Sequence, residues 1–340
     1  MNRRAFFLSL TGAAGCTSSR RRLNVFNWSE YVAPETIPDF EREFGVEVRY
    51  ATYESSEEML AKVFGGNSGW DVVFPSNSFV QPMRDLGLLA PIRRDRLANL
   101  SHLAARFQSP PWDPRLNWSV PYMHGATGIV FNSKAAAPPP EAWRDLWTDR
   151  FHGRLTMLDD PAEVLGACLK KLGRPLNSTD GADLERAKQE AIRQKPLLRA
   201  YLNAEVRDQL VAGDVIVSQL WATSAQQAID AAADLRFIYP AEGFALYADS
   251  AAILRESRRQ ELAHVFLDYL LRPQVAARVA TFTRTATANA AAQNLLPPSV
   301  RDNPTLYPPP EILSRGEWFL PMPSAAQRLR DRLWTEIKAA

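Results

Sequence analysis

From residue 23 onward the chain alternates between two periodicities. Residues 23–26, 46–53 and 71–74 carry the short apolar or alternating runs of strands, and 34–44, 56–64 and 78–86 carry helical spacing between them. Gly45, Gly65 with Gly66, and Pro75 stand where these segments should stop. Ser55 followed by Glu58 has capping-box spacing. This β-α-β-α-β order predicts a parallel sheet with right-handed crossovers.

The rhythm changes after Pro121. Residues 125–132 read as a strand crossing into a second unit, and Pro138, Pro139 and Pro140 as a surface loop. Helices are predicted over 141–147, 161–172 and 183–194, and strands over 215–220, 235–239 and 250–254. Residues 260–271 form a strongly apolar helix stopped at Arg272 and Pro273. The remainder reads as mostly helical, with a loop at 307–310. The whole predicts two α/β lobes rather than one long sheet.

Length and composition agree: 340 residues, 46% hydrophobic, are enough for two domains with real cores. The formal charge of +2 is misleading, because Arg3, Arg4, Arg20, Arg21 and Arg22 precede the first acidic residue, Glu30. Without those five the body carries three excess negative charges, which suits a cationic ligand and gives no sign of a nucleic-acid partner. Residues 1–16 have the layout of an export signal: two arginines, a short apolar run, then small residues and Cys16. The run is far shorter than the roughly 20 residues that span a membrane. Arg3 and Arg4 before Ala5, Phe6 and Phe7 resemble a twin-arginine signal, with general secretion as the alternative. Ala13, Ala14, Gly15 and Cys16 resemble a lipobox, which makes Cys16 the expected site of lipidation and residues 17–22 a tether. The expected location is the periplasm or the outer face of the inner membrane. Cys168, the only other cysteine, falls in an apolar helical stretch and reads as a buried thiol.

Several segments also match a known family in order and spacing. They are Asn27-Trp28-Ser29-Glu30-Tyr31, Thr52-Tyr53-Glu54-Ser55, the run from Asp71 to Ser76, the run from Asp159 to Val164, and Tyr269-Leu270-Leu271-Arg272-Pro273. Leu306-Tyr307-Pro308 and Gly316-Glu317-Trp318 extend the match. Together they resemble the spermidine/putrescine-binding periplasmic proteins of polyamine ABC transporters. The resemblance implies a two-lobed, type II-like periplasmic-binding-protein fold, each lobe a mixed, mainly parallel sheet flanked by helices. The lobes would be joined by crossovers near 125–130 and 247–250. Residues 23–126 with 248–293 would form lobe 1, and 127–247 with 294–340 lobe 2.

A polyamine is a hydrocarbon chain carrying ammonium groups that stay charged at neutral pH. Burying it requires carboxylates for the charges and aromatic faces for the methylenes. The resemblance implies aromatic walls from Trp28, Tyr31, Trp221 and Tyr247, and carboxylates from Asp160, Glu163 and Asp249. Ser29, Ser76 and Ser224 would add hydrogen bonds. Asp160, Pro161 and Glu163 read equally well as a helix start. Four positions depart from the spermidine binders of the family, which carry tyrosine at Ser78, tryptophan at Tyr247, tyrosine at Thr285 and glutamine at Phe319. These departures are expected to alter one end of the cleft.

The implied function is capture of a putrescine- or spermidine-like cation for an ABC permease, by a monomer without cofactor or metal. A binder or sensor of another cationic amine, or an enzyme acting on amines, is the alternative. The four histidines, His102, His124, His152 and His264, form no HExxH pattern, and neither a GxSxG elbow nor a P-loop occurs. His124, near the first crossover, reads as structural.

Overall fold

The structure is a computed structural model and describes residues 21–340. The expected export signal, Cys16 and most of the expected tether lie outside the described residues. Eleven strands are present in this region: β1 (Arg21–Trp28), β2 (Val46–Tyr53), β3 (Val72–Val73), β4 (Val120–Asn132), β5 (Leu155–Met157), β6 (Leu198–Tyr201), β7 (Val217–Trp221), β8 (Leu235–Ile238), β9 (Phe244–Ile253), β10 (Ala286–Thr287) and β11 (Gly316–Trp318). β1 pairs in parallel with β2 and β3, and β5 in parallel with β6 and β7, as a β-α-β chain requires.

The expectation of two separate sheets fails at the crossovers. Hydrogen bonding runs unbroken in the order β2-β1-β3-β9-β4-β7-β5-β6. The reason is the length of β4 and β9. They run antiparallel to one another, from Val120 opposite Ala251 to Ala126 opposite Leu246. One end of β9 then pairs with β3, and the far end of β4 pairs with β7 and β8. Each long strand therefore belongs to both lobes.

The cores remain distinct. One cluster, including Leu23, Phe40, Phe74, Phe107, Ile253 and Phe266, fills the first lobe. Two others, around Trp143, Phe151 and Leu165 and around Val130, Leu210 and Leu220, lie on the two faces of the second lobe's sheet. One assignment changes. Leu296, Val300 and Leu306 pack against Ala276, Ala277 and Ala280, on a helix whose Val275 and Val279 belong to the first-lobe core. Residues 296–306 thus lie with lobe 1, not with lobe 2 as expected. Lobe 2 is rejoined by the helix Ser324–Ala339, whose Leu333 and Ile337 enter its core.

Local signals explain most boundaries. Gly45 closes the helix Thr36–Phe44 in the left-handed conformation at φ 61°. Ser55 caps Ser56–Phe64 by accepting from the Glu58 amide at 3.1 Å, while the Glu58 carboxylate accepts from the amide of Glu54 rather than that of Ser55. Residues 141–147 do not make the expected helix. Only a 3₁₀ turn, Trp143–Leu146, forms, because the amides of Glu141 and Ala142 bind the Asp145 carboxylate and the Trp143 indole is buried with its N–H on Gly243. Among the described residues no helix is long and apolar enough to cross a membrane, and no His/Cys/Asp/Glu cluster is placed to hold a metal ion.

Candidate ligand-binding cleft

Side chains of a strand alternate between its faces, so residues two apart share a side and directly paired residues do too. On β9 this sends Tyr247 and Asp249 the same way. Their partners on β4 are Gly125 and Met123, and two residues beyond Gly125 Thr127 pairs with Trp221 of β7. The crossover strands therefore present Asp249, Tyr247, Thr127 and Trp221 on one face. Gly125 is the enabling gap: a Cβ there would collide with the Tyr247 ring. From the first lobe, Trp28 and Tyr31 follow β1, and Ser76 follows β3. From the second, Asp160 and Glu163 begin the helix Pro161–Lys171.

These elements enclose a cavity of about 770 Å³. Trp28, Ser29, Tyr31, Ser76, Asp160, Glu163, Trp221, Ser224, Tyr247 and Asp249 all line it. Of the four departure positions, Ser78, Tyr247 and Phe319 line it as well. Thr285 does not. It is fully buried, with its hydroxyl on the carbonyl of Thr283, and so cannot alter the cleft as expected. His124 is also buried away from the cavity, beside Phe107 and within 2.9 Å of the Arg106 guanidinium, in keeping with a structural role.

The rings are held rigidly. Trp28 donates its indole N–H to the carbonyl of Phe74 at 2.9 Å and packs on Tyr53 with centroids 4.7 Å apart. Tyr31 lies 6.5 Å from Trp28 between ring centroids, and its backbone carbonyl accepts from the Tyr122 hydroxyl. A pre-set aromatic wall of this kind loses little entropy on binding.

Two of the three carboxylates are buried without a cation in contact. Asp249 is 4% exposed and accepts the Tyr31 hydroxyl at 2.6 Å. Burial pushes its carboxyl up to about 7, against the pull of that hydrogen bond. Glu163 is 5% exposed and accepts from the Thr127 hydroxyl at 2.7 Å and the Trp221 indole at 2.9 Å. Burial and the neighbouring Asp160 push it up to about 8. Asp160 does cap its helix, with one oxygen accepting from the amides of Ala162 and Glu163 at 2.8 and 3.0 Å, and burial raises its pKa despite those bonds. Neither Asp249 nor Glu163 has a Lys, Arg or His nitrogen within 4.0 Å among the described residues. An ammonium placed beside either buried acid would favour its ionised form.

The comparisons with known proteins follow the same line. The family model for bacterial extracellular solute-binding proteins matches residues 35–308. The chain belongs to that family. This solute-binding protein is 35% identical over 334 residues to the spermidine/putrescine-binding periplasmic protein of Escherichia coli, covering 98% of this chain and 96% of that one. It is 32% identical to a putrescine/cadaverine-binding protein of Pseudomonas aeruginosa, with 97% and 96% covered. A crystal structure of a spermidine/putrescine ABC transporter substrate-binding protein from Streptococcus pneumoniae superposes with a TM-score of 0.83 at 28% identity, covering 94% of this chain and 99% of that chain.

Other residues of this solute-binding protein reach the cavity without having been singled out from sequence. Glu30, Glu54, Glu57 and Glu205 sit at its exposed rim. Glu30, itself at φ 56°, forms a 2.8 Å ion pair with Arg207, tying the lobes together across the mouth. Arg330 enters from the helix Ser324–Ala339. Its signal was present in the pattern: Ala326, Leu333 and Ile337 form that helix's buried stripe, and Arg330 occupies the stripe position between them.

Proposed function

We propose that this protein is the substrate-binding component of an ABC importer and captures a polyamine, of the putrescine or spermidine kind, between its lobes. The observation that carries this reading is the pair Asp249 and Glu163, both buried, both facing one ring-lined cavity and both lacking a cation. An ammonium beside each would satisfy the charges. Trp28, Tyr31, Trp221 and Tyr247 would cover the methylenes and attract the cation through their faces. Ser29, Ser76 and Ser224 stand at the same wall for further hydrogen bonds. The relatives support the reading, being named for polyamine binding over nearly the whole length of the chain.

In this reading the protein binds and releases its ligand unchanged and is not an enzyme. It works as a monomer, exported and held at the outer face of the inner membrane by lipid on Cys16. Lobe 1 comprises residues 23–126, 248–293 and the adjoining 296–306; lobe 2 comprises 127–247 and the C-terminal helix. Titration calorimetry of purified protein, freed of copurified ligand, with a panel of amines tests the proposal. Heat should appear with at least one di- or triamine and vanish in Asp249→Ala. Folded protein that gives no heat with any amine would refute it.

A further inference from the structure

The amine reading leaves open how many charges the ligand carries, and the far end of the cleft bears on that. Arg330 lines the cavity with Asp160 and Glu57, close enough for its charge to act on both. Its Nη2 donates to Gln327 at 2.8 Å. Its Nε is fully buried and has no acceptor among the described residues. No Asp or Glu oxygen lies within 4.0 Å of it, so its charge is not committed to a single ion pair. Burial raises the pKa of both Asp160 and Glu57, and the Arg330 charge opposes that rise at each. Phe319, which also lines the cavity, has its ring close to Gly166 on the helix that starts with Asp160 and offers an ammonium no side-chain acceptor.

Resting on the amine reading, we propose that Arg330 is a specificity-determining residue: a resident cation near Asp160 and Glu57 that disfavours a third ammonium and limits the ligand to an aliphatic diamine. The rim carboxylates Glu30, Glu54 and Glu205 are exposed and screened by salt, and Glu30 is already paired with Arg207, while burial holds Glu57 toward its protonated form. Inside the cleft stand three carboxylates, Asp160, Glu163 and Asp249, against the guanidinium of Arg330, that of Arg207 being paired with Glu30. The balance leaves room for two ammonium groups, one each for Glu163 and Asp249. A third ammonium would have to enter beside Arg330. Like charges about 6 Å apart at an effective dielectric of about 20 weaken binding by roughly a hundredfold.

Calorimetry with 1,4-diaminobutane, 1,5-diaminopentane and the triamine spermidine tests this on wild type, Arg330→Gln and Arg330→Lys, each checked by its melting curve. Wild type should bind a diamine at least tenfold more tightly than spermidine. Arg330→Gln should strengthen spermidine at least tenfold more than it strengthens the diamines, and Arg330→Lys should keep the wild-type order. A wild type that prefers spermidine, or an Arg330→Gln that shifts both classes equally, overturns this inference and leaves the amine reading standing. Absence of binding to every amine overturns that reading and this inference with it.

Discussion

Lowering the pH from 8.5 to 5.5 should weaken amine binding at least about thirtyfold. The perturbation acts on the cleft, because an aliphatic amine with a pKa near ~10.4 stays charged throughout this range. In the empty cleft burial holds Asp249 up to about 7. An ammonium placed beside it favours the ionised carboxylate, so its pKa falls on binding and a proton is released. Affinity is therefore complete above the empty-state value and is lost as the pH falls through it. At pH 5.5 the carboxyl must give up its proton about one and a half units below that value, a penalty of about 2 kcal/mol. Glu163, raised to about 8 by burial and by Asp160, acts in the same direction and adds to the loss. Calorimetry at three pH values, each in two buffers of different ionisation enthalpy, reads both affinity and protons released. Affinity that stays level from pH 8.5 to 5.5, or binding without proton release near pH 7, would refute the reasoning.

The same groups set the stability of the empty protein with the opposite sign. A folded carboxyl that holds its proton too tightly loses stability as pH rises from its unfolded value near ~4 toward its raised folded value. Glu163→Gln, which keeps an acceptor for Thr127 and Trp221, should hold or raise the melting temperature of empty protein at pH 8.5 while weakening diamine binding by about 2–4 kcal/mol. A lowered melting temperature in differential scanning calorimetry would count against a buried charge at this position. Gly125→Ala should push Tyr247 off the β4 face and weaken binding at least tenfold without unfolding the protein, as titration and circular dichroism would show. Tyr31→Phe removes the hydroxyl that donates to Asp249 and should cost about 1–2 kcal/mol of affinity, with the pH midpoint of binding moving upward. An unmoved midpoint would mean that this hydrogen bond does not tune Asp249.

The first-lobe elements were legible because each has a local stop: Gly45 in the left-handed region, Ser55 at a helix start, Pro75 after β3. The unbroken sheet was not, since β4 and β9 read as ordinary strands at one end only. The other half of each looks like a loop until its partner is known. β10 and β11 were missed for a related reason: two or three residues carry no periodicity, and they pair only because β4 and β9 offer free edges. Trp28, Ser29, Tyr31, Ser76, Asp160 and Glu163 could be named because they fall in contiguous motifs, and Trp221, Ser224, Tyr247 and Asp249 because the resemblance implied them. Arg330 stands on its helix's buried stripe and so reads as inward-facing, but neither it nor Glu57 could be placed at the cleft from its own helix's pattern. Only the three-dimensional approach of the helices Ser56–Phe64 and Ser324–Ala339 to Asp160 brings them to one place. Thr285 shows the converse: a position carried over by resemblance is buried behind the wall it was expected to form.

Cys168 is packed among Val164, Leu165 and Leu169, where burial pushes its thiol well above the usual range. It should be inert to maleimides in the folded state. With residues 1–20 removed, no other sulfhydryl remains in the chain. A cysteine introduced on each rim of the mouth, away from Glu30 and Arg207, would then accept a dye pair quantitatively and without prior mutation of the scaffold. Fluorescence transfer between the two dyes would follow the lobes as they approach, turning the protein into an optical reporter for whatever it captures.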